Sequence, residues 1–170
     1  VYCEIEKELK SSHSILDDDI CLQLDGVQII HEYLTFGHHT SELQSFSANL
    51  TSSILNIFKK SDSFEDIKNL ILNHPHATSQ LAIMTSYLSS FILKLTDKNF
   101  DDEKCKSFIK ASLFMDGSLE DEDLIMISDL NENQFKKLSP SYQKLIHEHS
   151  TESGKLFDLI FPNETQTKAL

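Results

Sequence analysis

Apolar residues recur along most of this chain at the spacing of one face of an α-helix. The clearest run has separations of three or four positions and consists of Leu43, Phe46, Leu50, Ile54 and Phe58. Thr40 or Ser41 precedes it at the place of an N-cap residue. This pattern predicts an amphipathic helix of about 20 residues.

A second helical pattern, over residues 78–96, differs from the first in its lack of charge. Its large apolar positions are Leu81, Met84, Leu88, Phe91, Ile92 and Leu95. Because no residue from Gln80 to Phe91 is charged, we expect this helix to be packed on most of its sides. The pattern therefore predicts an all-α, multi-helix bundle with residues 78–96 as its central hydrophobic helix.

The remaining helices are bounded by capping residues, glycine and proline. Ser118-Leu-Glu-Asp121 and Asn131-Glu-Asn-Gln134 match the capping box, and Ser139-Pro140 is a typical helix start. Gly37 and Gly117 are expected to end the helices before them. The predicted segments are 18–36, 64–74, 100–114, 118–130, 131–138, 140–149 and 155–161. A length of 170 residues fits one domain, which we place at 1–162, followed by a frayed tail at 163–170.

The charge of the chain argues against a nucleic-acid binder. The formal net charge is −12, and all 15 cationic side chains are Lys. Phosphate recognition relies on clustered cations, with Arg prominent among them. Much of the acid lies in three runs at predicted helix starts, where it complements the helix dipole: Asp17 to Asp19, Asp101 to Glu103 and Glu120 to Asp123.

No motif for catalysis, cofactor binding or metal binding is present. The pairs His38-His39, His74-Pro-His76 and His147-Glu-His149 lack the i, i+4 spacing that places two zinc ligands on one helix face. Phosphate-binding loops and the nucleophile elbow are absent. Cys105 follows three acids, whose field should raise the pKa of its thiol. We therefore expect a non-enzymatic protein without cofactor or metal, and no apolar run is long enough to span a bilayer.

The three cysteines leave two interpretations open. A Cys3–Cys21 disulfide would leave Cys105 as a thiol, whereas the simpler interpretation is that all three are reduced and partly buried. The chain begins at Val1, which is compatible with excision from a longer chain or with removal of a signal peptide. The sequons at Asn49 and Asn163 occur at about the frequency expected by chance.

One segment resembles the first helix of the poxviral Bcl-like immunomodulators, a family of small all-α proteins. It runs from Asp25 to Phe36, and the matched positions are Ile29, Ile30, Glu32, Tyr33, Leu34 and Phe36. The order of the following helices is also similar, with an uncharged central helix, and the likeness covers residues 17–130. The resemblance implies a host-directed, non-enzymatic protein that binds an innate-signalling or apoptotic partner in the host cytoplasm.

Two functional hypotheses follow. The first is a protein-interaction module, Bcl-like or otherwise. The second is a secreted helical effector or a carrier of a small apolar ligand, since the 11 Phe residues could line a cavity or a groove as well as a core. The candidate binding surface consists of Ile30, Tyr33, Leu34, Phe36, Leu50, Ile54 and Phe58, which are equally suited to a core.

Overall fold

The computed structural model describes residues 16–37, 41–61, 64–128 and 130–162, and all regular secondary structure in these ranges is helical. Eight helices lie within them, which confirms the predicted all-α bundle. Their bounds are α1 Leu16–Thr35, α2 Ser41–Lys60, α3 Glu65–Leu72, α4 Ala77–Thr96, α5 Asp102–Phe114, α6 Asp121–Ser128, α7 Glu132–Phe135 and α8 Pro140–Ile160. The predicted frayed tail lies outside the described residues.

Helix α4 is the central helix, as predicted, and packs against α1, α2, α3, α5 and α6. Its inner face carries Ile83 and Tyr87, both fully buried. The expectation that it is covered on most sides is wrong for its second half. There Leu88, Ile92 and Leu95 are 46%, 51% and 84% exposed, because the neighbours of α4 leave this face uncovered.

Helix α2 is amphipathic as predicted and contributes the largest set of core side chains. Its buried residues are Leu43, Phe46, Ser47, Leu50, Thr51, Ser53, Ile54, Leu55, Ile57 and Phe58. They pack against α1, α4, α5 and α8. Burying such apolar faces is the dominant favourable contribution to folding.

Residues 140–160 form one continuous helix, whereas the sequence predicted two segments with a break near residues 150–154. The small polar residues there resemble a loop, but an aromatic cluster holds the second half of α8 on the core. Phe114 on α5 contacts Phe157 and Phe161, with ring centroids 5.7 and 5.5 Å apart in edge-to-face geometry. This geometry is favourable for aromatic pairs, so tertiary packing carries the helix through Gly154.

Two predicted caps are confirmed. The Asn131 side chain and Gln134 form a complete capping box at α7. At the start of α8 the Ser139 side chain accepts a hydrogen bond from the Tyr142 backbone N–H, with Pro140 in the first turn.

The prediction of a capping box at Ser118 is wrong. Helix α6 begins at Asp121, and the Ser118 hydroxyl instead donates to the His149 carbonyl at 3.1 Å. This side chain is therefore used to fasten α8 to the segment before α6.

Gly37 after α1 and Gly117 after α5 have different structural roles. Gly37 ends α1 at φ 71°, as predicted. After α5 the positive φ, 59°, falls on Asp116 rather than Gly117. Gly117 is required by space, since a Cβ there would lie 2.8 Å from Leu34 Cδ1.

None of the described helices is long and apolar enough to cross a membrane. Cys105 is buried on α5, and its thiol donates to Ser90 Oγ at 3.3 Å. Cys21 is exposed on α1, while Cys3 lies outside the described residues, so the Cys3–Cys21 disulfide stays a prediction.

Candidate functional site

Most of the predicted binding surface is core. Ile30, Leu50 and Ile54 are fully buried, Phe58 and Leu34 are 1% and 4% exposed, and Tyr33 is partly buried against the same cluster. Phe36 alone of the seven is well exposed, at 73%. These residues therefore do not form one accessible surface, because the face that carries most of them is the face by which α1 and α2 join the core.

The described chain instead has a groove between α4, α5 and α8, with a volume of about 660 Å³. Its floor consists of Phe108, Ala111 and Ser112 on α5 and of Met115 directly after that helix, and the four follow the i, i+3, i+4, i+7 spacing of one helix face. None of these four is more than partly exposed. The groove thus exposes a mainly apolar strip between two other helices.

Small side chains contribute to both walls of the groove. Thr85 and Ser89 line it from α4, and Ser150, Thr151 and Gly154 line it from α8. At Gly154 an added Cβ would have no heavy atom within 4 Å. The walls therefore leave room for a ligand or partner to reach the α5 floor.

Charged residues also contribute to the lining of the groove. Asp116, Lys155 and Asp158 are among its lining residues. The Lys155 ammonium is paired with Glu152, with Nζ and Oε1 2.6 Å apart. Asp116 Oδ1 lies 3.3 Å from Nε2 of His149, a contact that is ionic only when the ring is protonated. Two carboxylates and one ammonium thus line the groove, and their net negative charge favours a cationic ligand over an anionic one.

The described histidines have structural partners. His74 Nε2 lies 3.2 Å from Asp25 Oδ1, and His76 Nδ1 lies 2.9 Å from Asp121 Oδ2. His147 packs edge-on against Phe135. The described residues contain no group of three or more His, Cys, Asp or Glu side chains placed to hold a metal ion. His38 and His39 lie outside them.

Asp121 joins the start of α4 to the start of α6. Its Oδ1 accepts from the backbone N–H and the hydroxyl of Thr78 at 2.9 and 2.7 Å. Partial burial opposes ionisation, but these bonds and the one from His76 outweigh it and lower the pKa of Asp121. The carboxylate therefore caps α4, whose own N-cap residue, His76, makes no side-chain cap.

The Cys105 thiol has a raised pKa, mainly because it is buried, with the charge of Asp102 acting in the same direction. The predicted direction of the shift is confirmed, although burial rather than the acidic run is its main cause. A thiol of this kind is a weak nucleophile.

The sequence did not point to the groove, because the groove depends on the distance between helices that are far apart in the chain. One signal was available. A helix face that alternates large apolar and small residues, as at Phe108, Ala111, Ser112 and Met115, is suited to a shallow groove as well as to a core. Phe108 and Phe114, which line the groove, are among the 11 Phe residues that, on sequence alone, could line a cavity or groove.

Comparisons with protein-family models, with curated protein sequences and with solved structures found no match to this chain.

Proposed function

We propose that this chain is a non-enzymatic protein-interaction module that binds an amphipathic helix of a partner protein in the groove between α4, α5 and α8. The observation that carries the proposal is the groove itself, with its apolar floor on α5 and its walls of small residues. A helix that lays its apolar face into such a groove is a recurrent mode of peptide recognition.

The shape of the groove supports this mode. A helical segment needs an open trough between helices rather than a closed cavity, and the groove between α4, α5 and α8 is partly open. Thr85, Ser89 and Gly154 on the walls allow a partner backbone to come close, while Phe108 and Met115 on the floor offer apolar contact. Burial of apolar surface at the centre of an interface supplies most of its affinity.

The charge of the chain defines the chemistry of the partner. The chain carries a net charge of −12, and Asp116 and Asp158 line the groove. A partner helix with Lys or Arg on its polar flank would be attracted toward the groove by this negative charge. The proposed partner is thus a basic amphipathic helix, and under the resemblance to the poxviral family it would belong to an innate-signalling or apoptotic protein of a host.

A pair of substitutions at Gly154 tests this proposal. Gly154→Phe would place a ring at the wall of the groove, whereas Gly154→Ala adds one methyl group at the same position, where an added Cβ meets no heavy atom within 4 Å. The probe is a model helical peptide with a Leu stripe and Lys residues on its polar face, measured by fluorescence anisotropy. We expect the Ala variant to bind like the parent chain and the Phe variant to lose binding by at least about tenfold.

A second peptide with Glu in place of Lys serves as the control for charge. It should bind more weakly than the Lys peptide, and the difference should shrink as salt screens the charges. Equal binding of the Lys peptide to the Ala and Phe variants would contradict the proposal, because attraction to the acidic surface would then occur outside the groove. Unchanged circular dichroism spectra of both variants establish that the fold is retained.

The volume of the groove also supports the second hypothesis, that of a carrier for a small apolar ligand. About 660 Å³ lies within the range of drug-sized binding pockets. Native mass spectrometry of protein from its natural source would show a bound lipid or other apolar compound, displaced in Gly154→Phe. A protein with no added mass, together with peptide binding, would favour the interaction module.

A further inference from the structure

Three large apolar side chains form an exposed stripe on the second half of α4. Leu88, Ile92 and Leu95 are 46%, 51% and 84% exposed. Their spacing, i, i+4 and i+7, places them on one face of the helix. None of the three lines the groove described above, so we define them separately as the α4 stripe.

The core does not account for the α4 stripe. The inner face of α4 carries Ala82, Ile83 and Tyr87, which are at most 1% exposed. The helix is thus apolar on two faces, only one of which is buried in the described structure. Scattered exposed apolar residues need no explanation, but a contiguous set on one helix face is typical of a surface that another chain covers.

The distribution of charge indicates what that other chain is. Among the eight described helices, α4 alone contains no Asp or Glu. Its only charge is Lys94, which lies over the Phe58 ring at 5.5 Å. Asp97, just beyond the helix, is paired with Lys104 at 2.8 Å.

Two copies of a chain with net charge −12 repel each other at long range. Helix α4 contributes no carboxylate of its own, so two copies could approach along it with less repulsion than along the acidic helices. A basic partner, by contrast, would gain nothing from this face and would be drawn to the acidic surfaces elsewhere.

We propose that the α4 stripe is the contact surface between two copies of this chain, related by a two-fold axis near Ile92. In an antiparallel pair of α4 helices, Leu88 lies about 6 Å to one side of Ile92 and Leu95 about 4.5 Å to the other. The two-fold axis therefore sets Leu88 of each copy close to Leu95 of the other. Such self-complementarity is what an isologous interface requires.

The test is the mass of the whole chain in solution, measured by sedimentation velocity from low micromolar to near-millimolar concentration. We expect a monomer–dimer equilibrium. Ile92→Glu would set two carboxylates near the axis and weaken the dimer by more than about tenfold. The matched control is Ile125→Glu, which makes the same change at a site on α6 that is 54% exposed, and it should leave the dimer unchanged.

Salt provides an independent readout. Raising the ionic strength should strengthen the dimer, because screening reduces the repulsion between two acidic chains while the apolar contact remains. Binding of a basic peptide in the groove should weaken under the same change, so failure of one proposal is distinguishable from failure of the other. A monomer at every concentration, or a dimer that persists in Ile92→Glu, would overturn the inference and assign the stripe to a different protein or to no partner.

Discussion

The hydroxyl of Tyr87 on α4 donates a hydrogen bond to Gln23 Oε1 on α1 at 2.7 Å, with both side chains fully buried. Gln23 in turn donates to Ser53 Oγ on α2 at 3.1 Å. Three helices are thus joined by one chain of hydrogen bonds inside an apolar core. Buried polar groups are tolerated when they are paired in this way, and the pairing specifies one arrangement of the helices.

Tyr87→Phe should destabilise the protein by about 1–3 kcal/mol, because the Gln23 acceptor would remain buried without its donor. Urea unfolding followed by circular dichroism measures the change in the free energy of unfolding. The control is Tyr142→Phe, which removes the same hydroxyl from a side chain that is 38% exposed. Similar losses of unfolding free energy at both positions would show that the buried hydrogen bonds of Tyr87 and Gln23 contribute no more to stability than an exposed hydroxyl does.

Asp121→Ala should destabilise the protein by about 0.5–2 kcal/mol, the usual cost of losing a helix cap. The pKa of Asp121 is lower in the folded chain than its ordinary value of 3.8. Its contribution is therefore complete above pH 3.8 and is lost as the pH falls from there through the folded-state pKa. When the free energy of unfolding is measured over an acid pH series, it should fall less steeply with decreasing pH in Asp121→Asn than in the parent chain. Glu122→Gln changes an exposed neighbour and serves as the control, which should lose stability as the parent chain does.

His31 should make folding sensitive to pH near neutrality. Burial lowers its pKa below 6.5, against the smaller opposing effects of the Leu113 carbonyl and of Asp116 and Asp121. The unfolded chain therefore takes up a proton first, so stability is complete above about pH 6.5 and declines as the pH falls toward the folded-state pKa. His31→Gln should flatten this part of a plot of unfolding free energy against pH.

The ring nitrogens of His31 give a direct check. Nε2 lies 3.1 Å from the Leu113 carbonyl oxygen, which only accepts, so Nε2 must carry the proton. Nitrogen chemical shifts at pH 6.5 should report the neutral ring, protonated at Nε2, as the major form. A mainly doubly protonated ring at that pH, or a neutral ring protonated at Nδ1, would contradict the assignment.

Two substitutions of glycine by alanine should have opposite effects. At Gly117 the new methyl group would lie 2.8 Å from Leu34 Cδ1 and 3.2 Å from the Phe114 carbonyl oxygen. Since Leu34 is itself buried, we expect a loss of about 1–3 kcal/mol. At Gly154, within α8, the methyl group meets nothing within 4 Å, and the better helix former should add up to about 1 kcal/mol. Thermal unfolding of the two variants beside the parent chain measures both changes in stability. A more stable Gly117→Ala variant would contradict the packing described around Gly117.

The helices could be predicted from the sequence wherever one face had to be buried. The spacing from Leu43 to Phe58 leads to α2 without further information, and the caps at Asn131 and Ser139 formed as their residues indicate. Prediction failed where a local pattern competed with tertiary contacts. Ser118 has the sequence of a cap but bonds to the His149 carbonyl, and residues 150–154 look like a loop but stay helical because Phe157 is anchored by Phe114.

The binding surface was harder to predict than the fold for a related reason. Ile30, Leu50 and Ile54 satisfy the pattern of a binding face and of a core face equally, because both require an apolar stripe. Which of the two a stripe becomes depends on the helices that pack against it. Leu88 and Ile92 lie on the helix that the sequence marks as central, and yet they remain exposed.

The sequence by itself determined the all-α class, the central place of α4 and the acidic character of the chain, because helical periodicity and charge are local properties of residues. Only the tertiary structure decided that α4, α5 and α8 lie far enough apart to leave a groove and that Leu88, Ile92 and Leu95 on α4 stay exposed. Those features depend on distances between helices that are remote in the chain. Such distances follow from the packing of the whole core, and the sequence of a single segment does not determine them.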